Sequence, residues 1–177
     1  MRCGPRRRPS TTRSRSSAGW TDWGARGVLD AAGDAWAEFA GGTSGVLWGV
    51  GLRAFGTVLG NEGRPDASRV AEGLRAYLTA LVDLGKAAPG DKTLLDAVVP
   101  FVETIERGVS HDRGLREAWA DGVAAAEAGA EATAEMSPRV GRARPLAARS
   151  IGTPDPGAVS FGICVRAMTP VVEKHCG

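Results

Sequence analysis

The stretch Arg69–Val82, RVAEGLRAYLTALV, decides the fold. Val70, Leu74, Tyr77, Leu78, Leu81 and Val82 recur at the spacing of one helix face and lack the alternation of a half-buried strand. The pattern repeats on both sides. Upstream, Gly60-Asn61-Glu62-Gly63-Arg64-Pro65 reads as a turn. The helix it closes runs back through Leu59, Phe55, Leu52, Trp48 and Leu47 to Gly41-Gly42-Thr43-Ser44-Gly45. Before it, from about Gly24, Val28, Leu29, Ala32 and Trp36 mark another helix.

Downstream, a fourth helix is expected to start near Asp91, with that residue as its cap, and to carry Leu94, Leu95, Val98, Val99, Val102 and Ile105. Pro100 within it calls for a kink or a late start. The fifth helix spans roughly Arg113 to Met136. Its face of Gly122, Ala126, Gly129, Ala130 and Thr133 is small enough to bring another helix, or a ligand, close to the backbone. After the loop from Ser137 to Pro154, a last helix opens with Asp155 as N-cap and Pro156 as its first residue, and holds Val159, Ile163, Met168 and Val172. No strand is convincing. The expectation is all-α, a bundle of about six or more antiparallel helices with short connections.

Composition agrees. With 177 residues and 43% hydrophobic side chains, the chain is long enough for one well-packed domain and too short to expect two. Charge is uneven: residues 1–20 carry six Arg and no acidic residue, whereas the remainder is mildly acidic. The basic balance is therefore a property of one tail and not a nucleic-acid signature of the body. That tail, MRCGPRRRPSTTRSRSS, has too little apolar surface to order itself. Pro5 and Pro9 block the amphipathic helix of a transit peptide, no apolar run follows for a secretory signal, and no aromatic among residues 2–19 can stack a base. Residues 1–23 are accordingly expected to be disordered, and 24–177 to form the domain.

Cys3, Cys164 and Cys176 have no metal-ligand spacing and form no even disulfide set, which fits reduced thiols in the cytoplasm. Cys164, in an apolar run, reads as a small core residue. No apolar run is long enough to span a membrane. His111 and His175 have no nucleophile or metal partner at a meaningful spacing and are expected to face solvent.

Three segments carry possible chemistry. Gly41-Gly42-Thr43-Ser44-Gly45 at a helix start offers flexible backbone, two hydroxyls and the open amides of a first turn, a combination suited to phosphate. The same residues also make an ordinary N-cap, and spacing alone favours that reading. No Lys follows at the spacing of a P-loop. In Gly85–Thr93, Lys92 could reach a phosphate or point into water. The loop before the last helix holds Arg142, Arg144 and Arg149 in an otherwise acidic body, which favours an anion there.

Taken in order, GGTSG (41–45), GKAAPGDKTLLDA (85–97), GAEATAEM (129–136) and GRARPLAARSIGTPDPGA (141–158) closely resemble the L subunit of dihydroxyacetone (glycerone) kinases, the nucleotide-binding domain also fused in their ATP-dependent forms. The resemblance covers about Gly24 to the C-terminus and implies an antiparallel eight-helix barrel with ADP or ATP at one end. Thr43 and Ser44 would take the phosphates. Gly85 and Leu94 would line the adenine side, where the family commonly has Met in place of Leu94. Arg142 and the Asp155-Pro156-Gly157 turn would complete the pocket. The implied reaction is phosphoryl transfer to a hydroxyl of dihydroxyacetone, or of a related small ketose or polyol, held through a histidine on a separate K subunit. The donor would be ATP itself or a phosphotransfer-system protein acting through bound ADP.

One departure stands out. The family's Gly-Asp-Gly-Asp-type loop, whose aspartates hold two Mg²⁺ ions, is absent, so no metal ligands are assigned and Asp22, Asp30 and Asp34 are not taken as substitutes. By spacing, Met1 falls about where that loop ends, and the Arg/Ser/Pro tail stands where a second helix belongs. The barrel is therefore expected to lack its first one or two helices, through a misplaced start rather than as a genuine remnant that lost its metal. Uncovered apolar faces then predict poor solubility or self-association of this chain; a monodisperse, cooperatively melting monomer would refute that. The alternative function is a non-catalytic helical module binding a nucleotide or a partner, and nucleic-acid binding through the tail ranks last.

Overall fold

The computed structural model describes residues 23–140 and 150–176, and within them the chain is helical with no strand. Six α-helices follow in order: α1 (Ala25–Phe39), α2 (Gly42–Leu59), α3 (Ala67–Gly85), α4 (Leu95–Ser110), α5 (Leu115–Ala132) and α6 (Pro156–His175), with a 3₁₀ turn at Thr133–Glu135 after α5. Each helix packs on the next, and α6 also returns to α4. Short connections make α1 to α5 antiparallel, and the start of α6 shares one cleft with the starts of α2 and α4, so amino and carboxyl ends alternate around the bundle.

Helix α4 is the hub. Val98, Phe101, Val102 and Ile105 are fully buried, and Phe101 meets Trp119 of α5 and Phe161 of α6 edge-on, with ring centroids 5.1 and 5.4 Å apart. Trp48 and Tyr77 join Phe161 in a cluster that draws α2, α3 and α6 together. Burial pushes the Tyr77 phenol well above its ordinary range. The glycines allow close crossings. A Cβ on Gly33 would lie 2.8 Å from the Gly49 carbonyl oxygen, and one on Gly49 equally close to that of Gly33. Exposed pairs such as Arg113–Asp121 (2.6 Å) decorate the surface and contribute little.

Several local expectations need correction. Helix α4 begins at Leu95 and not near Asp91. The Asp91 carboxylate accepts from the Ala88 amide (2.8 Å), while Thr93 Oγ1 serves the first turn by accepting from Leu95 (3.2 Å). The helix continues through Pro100. That proline lacks the N–H that would bond the Asp96 carbonyl, and Gly129 approaches this same oxygen, where a Cβ would sit only 2.2 Å away. The small face of α5 thus receives α4: Gly122 lies against Phe101 and Ile105, and Ala126 is fully buried.

On α6 the larger residues mislead. Val159, Ile163 and Met168 are exposed, and the buried face is Ala158, Phe161, Gly162, Val165 and Val172. Val28 and Val82 are likewise outward. Cys164 is half-buried, with its thiol pushed up by burial. His111 and His175 are exposed, as expected. Phe39, at 79% exposure, and Val46 and Val50 of α2 add to the apolar surface. Among the described residues no helix is long and apolar enough to cross a membrane.

Candidate functional site

One end of the bundle opens into a cleft of about 730 Å³. Three helix amino ends border it: Gly41–Ser44 of α2, Thr93–Leu95 of α4 and Asp155–Gly157 of α6. Each carries the partial positive charge of its helix dipole, so the cleft favours an anion. Beside these polar turns, Leu47, Trp48, Leu81, Ala87 and Leu94 add an apolar lining. Trp48 is itself stacked on Trp36, with centroids 4.6 Å apart. A site with convergent donors and an apolar lining suits a ligand with a charged tail and a flat, weakly polar head.

The turn before α2 explains its glycines. Gly41 and Gly42 have φ of +62° and +60°, a region that L side chains enter at a cost. A Cβ at Gly41 would meet nothing within 4 Å, so this glycine is required by backbone conformation and not by crowding. No side chain caps the first turn of α2, and Thr43 and Ser44 are exposed on the cleft. The alternative reading, in which Thr43 or Ser44 serves as an ordinary N-cap, therefore does not hold: the cap position belongs to Gly41.

Helix α6 begins differently. Asp155 accepts from the Ala158 amide (2.8 Å), with Pro156 at the first helical position. Its carboxyl is held above the usual range because burial outweighs the Ala158 and Gly157 amides that favour the charge; Asp96 adds to the rise and Lys92 opposes it. A Cβ on Gly157 would lie 2.9 Å from the Asp155 carboxylate and 3.5 Å from Leu94 Cβ. The turn is thus seated directly against the start of α4.

Thr43, Ser44, Gly85, Leu94, Asp155, Pro156 and Gly157, chosen from three separate sequence blocks, all line this cleft. Arg142, with Arg144 and Arg149, lies outside the described residues. Lys92 lines the cleft and does not point into water. It is buried, and its ammonium donates to the Met136 (3.1 Å) and Ser150 (2.5 Å) carbonyls. Sequence reasoning also missed Trp48, one helical turn beyond Ser44, and the buried polar pair Asp96 and Thr133. The described residues contain no cluster of three or more His, Cys, Asp or Glu able to hold a cation. Asp30 and Asp34 are paired with Arg26 and Arg53.

Comparison with known proteins gives the family and the fold. The family model described as the DAK2 domain matches residues 13–170. The D-erythrulose kinase of Mycolicibacterium smegmatis is 54% identical over 145 residues, covering 82% of this chain and 25% of that protein. The ADP-binding subunit of the PEP-dependent dihydroxyacetone kinase of Escherichia coli is 41% identical over 80 residues, covering 45% of this chain and 38% of that subunit. Among solved structures, the dihydroxyacetone kinase from C. freundii in complex with AMP-PNP and Mg²⁺ superposes with a TM-score of 0.61 at 24% identity, over 83% of this chain and 23% of that one. It shows the same helical fold. The chain spans about a quarter of the length of the erythrulose kinase it matches. With its helical fold, its glycine turn before α2 and a matched span that takes in nearly all of the described helices, the chain belongs to the DAK2 domain family.

Proposed function

We propose that this chain is the nucleotide-binding domain of a kinase that phosphorylates a hydroxyl of a small ketose or polyol, of the dihydroxyacetone or erythrulose class. The observation that carries the reading is the convergence of three helix amino ends and an apolar lining on one cleft. ADP or ATP would lay its phosphates on the Thr43–Ser44 turn and its base along Gly85 and Leu94. The Asp155-Pro156-Gly157 turn closes the far side, and Arg142 is assigned to the phosphates from outside the described residues. The names of the relatives support both halves of the proposal, an ADP-binding subunit on one hand and ketose kinases on the other.

The sugar is held elsewhere, on a K-type subunit or on another segment of a longer chain. The phosphoryl donor is ATP, or a phosphotransfer-system protein that recharges bound ADP. Such a reaction belongs in the cytoplasm, where nucleotide and ketose are both dissolved. Mg²⁺ would neutralise phosphate charge in such a transfer, but no step is assigned to it through the described residues, which do not form a site for it.

Calorimetric titration of ADP and of ATP, with and without Mg²⁺, tests the proposal. One-to-one binding that is lost on substituting the Thr43–Ser44 turn is the expected result; no binding of either nucleotide overturns it. Binding without ketose phosphorylation, after a K-type protein and the sugar are added, would favour the non-catalytic module.

A further inference from the structure

Besides the Tyr77 phenol, the polar side chains Lys92, Asp96 and Thr133 are buried among the described residues, and these three act on the rim of the cleft. Asp96 grips the turn before α4: its carboxylate oxygens accept from the amides of Gly90 (2.5 Å) and Thr93 (2.8 Å), on either side of Lys92. Thr133, at the end of α5, donates to the Ala130 carbonyl (2.5 Å) and accepts from the Asp155 amide (2.7 Å). Lys92 crosses between them to the carbonyls of Met136 and Ser150. Two backbone bonds run alongside, from Gly152 to Ala134 (2.8 Å) and from Arg139 to Asp91 (3.2 Å).

The Lys92 backbone is unusual as well. Its φ of +59° is shared by Lys86 and Asp112, but those two residues close helices, where a left-handed residue is the ordinary ending. Lys92 precedes a helix, at a position glycine would occupy without strain. The strain is kept together with a buried ammonium whose acceptors among the described residues are two carbonyls, with the Asp155 carboxyl near enough to feel its charge, and burying an ammonium is costly in itself. A cost of both kinds, at the edge of the cleft, calls for a function.

We propose that Lys92 is a positioning residue: its ammonium ties the chain leaving α5 and the chain entering α6 to the turn before α4, and so sets the distance between Leu94 and the Asp155–Gly157 turn across which the nucleotide is held. The proposal rests on the nucleotide reading above. Lys92 acts through the segments it fixes and not by touching the ligand's reacting atoms. Asp96 and Thr133 are the other two points of the same clasp, and a buried hydrogen-bonded network of this kind favours a single arrangement.

The test uses Lys92→Met, which keeps length and removes the donors, Lys92→Arg, which restores them, and Thr133→Val, which removes the acceptor of the Asp155 amide. ADP affinity is measured by calorimetry at a temperature where melting curves show each variant folded. Amide hydrogen exchange is followed in the ligand-free protein. Lys92→Met is expected to bind ADP about tenfold more weakly or worse. Exchange at Gly152 and Asp155 should accelerate by a similar factor, while Val102 and Ile105 in the core stay unchanged, and Lys92→Arg should recover most of both. Thr133→Val should reproduce the effect at Asp155 even if Lys92→Met does not fold. Wild-type affinity in Lys92→Met, or exchange accelerated equally in core and rim, overturns the proposal. If the wild-type protein binds no nucleotide, the nucleotide reading fails on its own, and the exchange pattern still decides whether the clasp exists.

Discussion

The two ends of the bundle carry the same electrostatic resource and use it differently. Each presents three helix amino ends. At the end opposite the cleft, protein groups take up that charge at α1 and α3, while α5 opens on Gly114 without a side-chain cap. Asp66 caps α3 by accepting from the Arg69 amide (2.8 Å), and the loop after α2 closes α1, with Asn61 Oδ1 accepting from Gly27 (3.0 Å) and the Gly60 carbonyl from Arg26 (2.8 Å). At the cleft end, α2 opens on two glycines with no side-chain cap, and the cap of α6 is an aspartate whose ionisation burial disfavours. One end is finished for stability, whereas the other gives up some stability to stay open to an anion.

Breaking this comparison outright calls for a change that disturbs the scaffold beneath the cleft. Gly129→Ala places a Cβ against the Asp96 carbonyl that Pro100 leaves without its helical partner. Pushing α5 off α4 there is expected to cost about 1–3 kcal/mol, read from denaturant unfolding, and to weaken ADP binding with it, because Asp96 holds the turn before α4. A variant as stable as wild type would show that α4 and α5 can separate without penalty.

Gly42→Val separates the ends more cleanly. Forcing a β-branched residue to φ +60° costs about 1–2 kcal/mol, and remodelling the α2 turn is expected to abolish most ADP affinity while helical content stays the same. Asp66→Ala is the matching change at the closed end. Loss of that cap is expected to cost about 1 kcal/mol and to leave the ADP dissociation constant unaltered. If Asp66→Ala also weakened ADP binding, the two ends would be coupled and the division of labour drawn here would not stand.

The parts of this molecule that could be read from its sequence are those written in large side chains and in glycine. Helix periodicity located the helices, whereas the glycine turn at 41–45 suited an anion and an ordinary N-cap alike, with spacing alone favouring the cap. The outward face of α6 misled for a physical reason: apolar residues stand on both sides of this helix, and the core takes Ala158, Phe161, Val165 and Val172, so the bulky Ile163 marks the wrong side. The clasp was hidden too. Nothing in local spacing shows that Lys92 reaches residues 136 and 150, or that Asp96, and not Asp91, organises the turn, since these are contacts between elements that only the packed chain brings together. A resemblance spread over four blocks supplied what periodicity alone could not, namely that residues so distant in sequence share one cleft.

The smallest expected effect is also the most specific to the open end. Asp155 and Asp66 make the same capping bond at the same distance, 2.8 Å, but Asp155 does so half-buried and near Asp96. Its carboxyl is raised above the unfolded value, so the folded state takes up a proton more readily than the unfolded chain. The stability linked to that proton is complete below the ordinary carboxylate range and is lost as pH rises through the raised value. Asparagine caps equally well and has no charge to bury. Asp155→Asn should therefore match wild type near pH 4 and become slightly more stable than it by about pH 7, seen as a difference in Tm that grows with pH. ADP affinity should fall in the same variant, since a carboxylate kept at a cost to the fold belongs to the site. If Asp155→Asn were instead destabilised at neutral pH with binding intact, Asp155 would be an ordinary cap like Asp66, and the difference between the two ends would reduce to the glycines of α2 and the Lys92 clasp.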